Sequence, residues 1–274
     1  MTEFGIIGLA ILIVTFLVSY KGFKDPAYLN QYAFRVGDIR HRRQYYRLLT
    51  SGLLHTGWVH LLLNVLTFYY FSSAVEMMVG YQNFLVIYVA SLLGGNLLAL
   101  LLHRHDSEYA AVGASGAISG LVFAGIALFP GMELLVLGVA MPGWLYGLLY
   151  VVFCAYGITK RLGNIGHDAH LGGGLVGLLT VVAMQPELLR TNYLAIAAII
   201  LPALGFFYLL IRKPEGLLRG SFLAAPEYAT VDDKHKANQK KQEANLDELL
   251  DKISRKGIEG LSTREKKELE ELSR

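Results

Sequence analysis

Residues 48–75 read LLTSGLLHTGWVHLLLNVLTFYYFSSAV, 28 residues between Arg47 and Glu76 without a Lys, Arg, Asp or Glu. A helix needs about 20 mainly apolar residues to cross the hydrocarbon core of a bilayer, so this run is long enough to span a membrane. It is not alone. Phe4–Tyr20 holds 17 residues without a charge. Across the 274 residues, 54% are hydrophobic and 17% charged, with mean hydropathy +0.42. A soluble domain would carry more charge and would break its apolar residues into amphipathic stripes. The first block has no basic residues ahead of it, and Tyr20-Lys21 offers no small-residue cleavage site, so it reads as a span rather than a cleaved signal. The single cysteine, Cys154, lies in an apolar segment and supports no disulfide framework. A net charge of +3 is too small to argue for nucleic acid.

Working outward from that run, seven spans are predicted at roughly 4–20, 53–75, 84–102, 114–129, 144–158, 168–184 and 193–211. Pro130–Gly143 is apolar but bracketed by prolines, and reads as a loop at the interface. Lys21–Tyr46 is polar and aromatic-rich, as suits a segment at headgroup level. Residues 1–211 form the expected membrane domain, 212–244 a linker and 245–274 a small helical tail module. Two short amphipathic helices are expected in the tail, at Asn245–Lys256 and Thr263–Ser273.

Polar side chains inside spans are expensive and usually mark function or a buried pairing. Three clusters qualify. HTGWVHLLLN carries His55, His60 and Asn64 at the start of the second span. Gly113-Ala114-Ser115-Gly116 opens the fourth, and His167-Asp168-Ala169-His170 the sixth. With alternating span direction, the starts of even-numbered spans share one membrane side. Gly116 and Gly120 in the fourth span, and Gly173 and Gly177 in the sixth, form two G-x-x-x-G pairs of the kind that let helices approach closely in lipid. If those faces meet, Ser115 and His170 come within reach of each other. The histidine would accept the serine proton during attack on a carbonyl and return it to the leaving amine. His60 and Asn64, one turn apart, could then donate to the oxyanion, as could the Ser115 amide at a helix start. Asp168 is two residues from His170 and points elsewhere on a helix, so a Ser-His dyad is the more economical reading.

Taken singly, each residue has a blander reading. Serine more often eases helix packing, and His60 could be an interhelical hydrogen-bonding group. His55 reads as structural. His167 is the rival base. His103 and His105 read as loop residues rather than metal ligands, and His41 and His235 carry no signal. No HExxH helix, paired intramembrane aspartates or G-x-S-x-G elbow is present.

Together, H-x4-H-x3-N, G-x-S-G and A-H-x-G-G resemble the rhomboid intramembrane proteases in kind, order and spacing, over roughly residues 45–185. The resemblance implies an all-α membrane protein, a rhomboid-like bundle of six core transmembrane helices with one additional C-terminal span. It implies an endopeptidase that cuts transmembrane protein substrates in or near their spans, in the cell (inner) membrane and in contact with its lipid, without metal or cofactor. Ser115 is then the nucleophile, His170 the base, and His60 and Asn64 the oxyanion support. Arg47 and Glu76 stand where the family often has these residues in structural roles. Two positions depart from the pattern. Tyr46-Arg47 replaces Trp-Arg, and Ser119 stands where some members carry an aromatic packed on the base. The tail resembles a small helical module of some bacterial members, with no partner implied.

Two rival functions are a catalytically silent relative that routes membrane proteins and a transporter with polar spans along its path. The presence of both Ser115 and His170 argues against the first. Ahead of the last span, Lys and Arg count ten on the side of the three polar clusters, from Lys21 to Arg161, and one, Arg190, on the other. The positive-inside rule thus predicts that the cluster side faces the cytoplasm.

Overall fold

The computed structural model describes residues 5–136, 138–162, 165–212, 252 and 262. The chain divides into two compact units, Met1–Ala224 and Ala225–Arg274. The two tail helices expected in the second unit lie outside the described residues.

The first unit is built of helices in chain order: α1 (Ile6–Lys24), α2 (Pro26–Tyr32), α3 (Val36–Arg42), α4 (Arg47–Thr50), α5 (Trp58–Leu102), α6 (Ser115–Leu128), α7 (Gly143–Lys160), α8 (His167–Met184), α9 (Leu188–Thr191) and α10 (Tyr193–Arg212). Strands are minor. β1 (Phe34–Arg35) pairs antiparallel with β2 (Ala110–Ala111), and β3 (Glu133–Val136) with β4 (Val139–Pro142). By length and composition, α1, α5 and α10 can cross a membrane, and α6 is a shorter apolar helix. The expected all-α membrane architecture is what is found.

Three boundaries differ from expectation. The second and third predicted spans belong to one 45-residue helical run, broken only at Gly80, whose φ of 78° is left-handed and turns the chain without a polar linker. The second span starts at Trp58 rather than near residue 53, because Ser51–Leu53 is a 3₁₀ turn and Leu54 is extended. The Pro130–Gly143 loop contains the β3–β4 hairpin.

Helix α6 lies at the centre. Every residue from Gly116 to Ala127 is buried, which a helix sustains on all faces only when its neighbours come close. Small residues allow that here. A Cβ on Gly173 would meet the Gly116 carbonyl, and one on Gly177 would meet the Gly120 backbone, so α6 and α8 touch along the two glycine pairs. Helix α5 completes the seam, with Gly95 against the Ala169 carbonyl.

Buried charge holds the periphery. Glu76 accepts from the amides of Ile7 and Gly8 at 3.3 and 3.1 Å, satisfying N–H groups that open α1. Arg47, 5% exposed, donates to the Asn30 and Ala33 carbonyls at 2.7 Å each and pairs with Asp38 at 3.1 Å. Both residues therefore do structural work, tying α1 and the loop before α5 to the bundle.

Candidate active site

Ser115 is the first residue of α6, where the helix leaves its opening N–H groups without intrahelical acceptors and no side chain caps them. His170 lies in the first turn of α8. Because the glycine seam draws the two helices together, His170 Nε2 stands 2.6 Å from Ser115 Oγ. The third cluster reaches the same place. Gly113, at φ 138°, runs so close to the His60 ring that a Cβ there would meet its Cε1 and Nε2, with Ser115 Oγ next nearest. A left-handed φ and that approach both require glycine. All three polar clusters singled out in the sequence thus contribute to one site.

His60 Nδ1 lies 3.2 Å from Thr56 Oγ1. With the hydroxyl donating, the ring proton resides on Nε2, toward Gly113 and Ser115. Asn64 is buried one turn further along α5, and one hydrogen of its Nδ2 goes to the His60 carbonyl at 2.9 Å. The same amide group carries a second hydrogen.

His55 lies three residues ahead of α5 rather than within the span. It is fully buried, edge-on to the His60 ring at 4.8 Å. Ser19 Oγ donates to the Leu53 carbonyl, so His55 Nδ1, 2.9 Å from the same oxygen, is the donor of that pair. Helix α1 thereby fixes the His55 tautomer and the ring that abuts His60. Burial, aided by the neighbouring His60, pulls the His55 pKa down to about 3.

On α8, Asp168 turns away from the Ser115–His170 pair. Its carboxylate takes His103 Nε2 at 2.9 Å and the Tyr109 hydroxyl at 3.4 Å, and the His103 and Tyr109 rings stack at 3.6 Å. Burial and the adjacent Asp168 carboxylate hold the Tyr109 phenol well above its usual pKa. Among the described residues no carboxylate bonds to His170. His103 lies in the turn after α5, as expected, but its bond to Asp168 is not evident from its place in the sequence. The signal that could have located it is the intramembrane Asp168, which demands a partner.

Tyr150 on α7 was missed outright. Its ring stacks on His170 at 6.3 Å and 21° between planes. Ser119 Oγ donates to the Ser115 carbonyl at 2.8 Å and so accepts from the Tyr150 hydroxyl, also at 2.8 Å. The aromatic lacking at position 119 is supplied by a neighbouring helix, and Ser119 anchors it. His167, the rival base, faces α7 and makes no contact with Ser115; its ring packs over Gly157 and edge-on to Phe153.

Known families and proteins are similar to this chain over its helical region. A family model described as the Rhomboid domain matches residues 42–187, more than half of the chain. A second, for a family of unknown function (DUF6576), matches residues 229–274. Rhomboid protease GluP of Bacillus subtilis is 28% identical over 212 residues, covering 76% of this chain and 40% of that protein. Putative rhomboid protease YdcA of the same organism is 33% identical over 144 residues, 50% of this chain and 68% of that one. The mitochondrial Rhomboid protein 1 of Saccharomyces cerevisiae is 32% identical over 137 residues, 48% of this chain and 40% of its own length. The chain thus spans less than half the length of GluP and of the yeast protein. The match to the domain model and the one-third identity to a relative of which two thirds is covered lead to one conclusion: this multi-pass membrane protein belongs to the rhomboid family.

Proposed function

We infer that the chain is a serine endopeptidase of the cell membrane that cleaves other membrane proteins in or near their transmembrane segments. The observation that carries this reading is the 2.6 Å approach of His170 Nε2 to Ser115 Oγ at the end of a buried helix. In this reading His170 Nε2 takes the Ser115 proton as Oγ attacks the substrate carbonyl. The Ser115 amide, His60 Nε2–H and the second Asn64 amide hydrogen receive the developing oxyanion. His170 then protonates the leaving amine, and water, activated by the same imidazole, releases the acyl group from Ser115. Tyr150 holds the imidazole plane throughout. The relatives named as proteases support the reaction class, and membrane-embedded helices imply a membrane-embedded substrate.

The test is covalent labelling by a fluorophosphonate, which reports an activated serine directly. Wild type should label, and both Ser115→Ala and His170→Gln should not. Cleavage of a single-span substrate in vesicles should fall ~10⁴-fold or more in either variant. A labelled Ser115→Ala variant, or an unlabelled, folded wild type that also leaves such substrates intact, would overturn the reading.

A further inference from the structure

The base has a second set of neighbours that proton transfer to Ser115 does not use. Cys154 on α7 and His167 and His170 on α8 each present one ligand atom, and these atoms lie within 4.8 Å of one another. Cys154 is fully buried and His167 is 3% exposed. Neither ring nitrogen of His167 makes a hydrogen bond; the Leu162 carbonyl approaches the ring without hydrogen-bond geometry. A buried imidazole with two unpartnered nitrogens costs stability unless something else occupies one of them. Gly157, one turn after Cys154, leaves the room that brings this ring over α7.

We propose that Cys154, His167 and His170 form a binding site for one zinc ion that switches the dyad off. One thiolate and two imidazoles are a zinc donor set, with the fourth tetrahedral position open to water. Zinc bonds of ~2.0–2.3 Å set ligand atoms ~3.5 Å apart, so the longest edge of the site contracts by about 1 Å on binding. The opening lies at His170, which is only partly buried. Coordination through either nitrogen of His170 removes the base. Zinc on Nε2 takes the lone pair that would accept the Ser115 proton. Zinc on Nδ1 obliges Nε2 to carry the ring proton, which leaves it equally unable to accept. Binding releases the Cys154 thiol proton to solvent, so affinity rises with pH. The inhibitory effect rests on the proposed peptidase reading; the metal site itself does not.

Cobalt(II) is the probe, added to the purified full-length chain in detergent. Cys154 is the only cysteine, so a thiolate-to-cobalt charge-transfer band can arise from no other residue. Wild type should develop that band, saturate at one cobalt per chain and lose the band when zinc is added. Cys154→Ser should show no band. His167→Gln should bind more weakly by at least the ~10–100-fold that losing even an outer-shell partner costs a metal site. Zinc should block fluorophosphonate labelling of wild type but not of Cys154→Ser, and a chelator should restore it. No thiolate band in wild type at saturating cobalt, or a band unchanged by His167→Gln, would overturn the site. Should Cys154→Ser not fold, the wild-type band and His167→Gln decide the question. If metal-free wild type fails to label while the cobalt band forms, the peptidase reading falls and the metal site stands.

Discussion

In the proposed reaction the imidazole of His170 can act as a base only while its plane keeps Nε2 aimed at Ser115, and the Tyr150 ring stacks on that plane. Tyr150→Phe retains the stacked ring but loses the bond to Ser119, so kcat for substrate cleavage should fall several-fold. Tyr150→Ala removes the brace, and a misplacement of about 1 Å in a reacting group costs ~10²-fold. That larger loss should appear in kcat with KM little changed, since Tyr150 touches the base rather than the substrate. Equal losses in both variants would show that the hydroxyl, not the ring, is what counts. His55 makes a different kind of prediction. Its folded pKa of about 3 lies below the unfolded value of 6.5, so below pH 6.5 the unfolded chain takes up a proton that the folded chain refuses. The stability this neutral imidazole contributes is full above pH 6.5 and is lost as pH falls toward 3, at up to ~1.4 kcal/mol per pH unit. Thermal unfolding of wild type in detergent should therefore drop between pH 6.5 and 4, and His55→Gln should flatten the slope.

Among the elements, the α6–α8 contact decides whether there is a site at all. Gly177 meets the Gly120 backbone, whereas a Cβ on Gly205 of α10 would meet nothing within 4 Å. Gly177→Val should cost ~1–3 kcal/mol or more through overpacking and should abolish labelling of Ser115 by parting the helices. Gly205→Ala should be neutral or slightly stabilising, since alanine is the better helix former. Matching unfolding temperatures for the two variants would refute the close seam. This seam was legible in the sequence because G-x-x-x-G spacing is a local pattern with a physical consequence, and Ser115 and His170 were legible with it. Tyr150 was not: it lies 31 residues from Ser119, on a helix whose rotation no local spacing reveals. The His103–Tyr109–Asp168 clasp was hidden for the same reason, joining a helix end, a loop and another helix. Gly80 misled the reading in the opposite sense. A single left-handed residue reverses a chain as well as a polar loop does, so the gap expected between the second and third spans shrinks to one position.

At the scale of the whole molecule, the open question with the largest consequence is which compartment meets Ser115. The starts of α5, α6 and α8 converge on one end of the bundle, and in the segments before α10 ten Lys and Arg fall on that side against Arg190 on the other. Some of those charges are committed within the protein. Arg35, Arg42 and Arg47 all pair with Asp38, at 3.6, 3.2 and 3.1 Å, and a cation already paired has less to gain from anionic headgroups. Setting these aside leaves ten less three, or seven, against one, so the bias survives the correction. The prediction is that the Ser115 end faces the cytoplasm. With the seven expected spans, helix α10 ends at Arg212 on that same end, because they carry the chain across an odd number of times. A fluorescent protein fused after Arg212 should therefore fluoresce, and alkaline phosphatase fused at the same point should be inactive, since each works on only one side of a bacterial membrane. The reverse pattern would place the active site outside. It would also mean that the basic first loop, whose Arg35, Arg42 and Arg47 pair with Asp38, lies embedded at the outer surface and has no part in setting orientation.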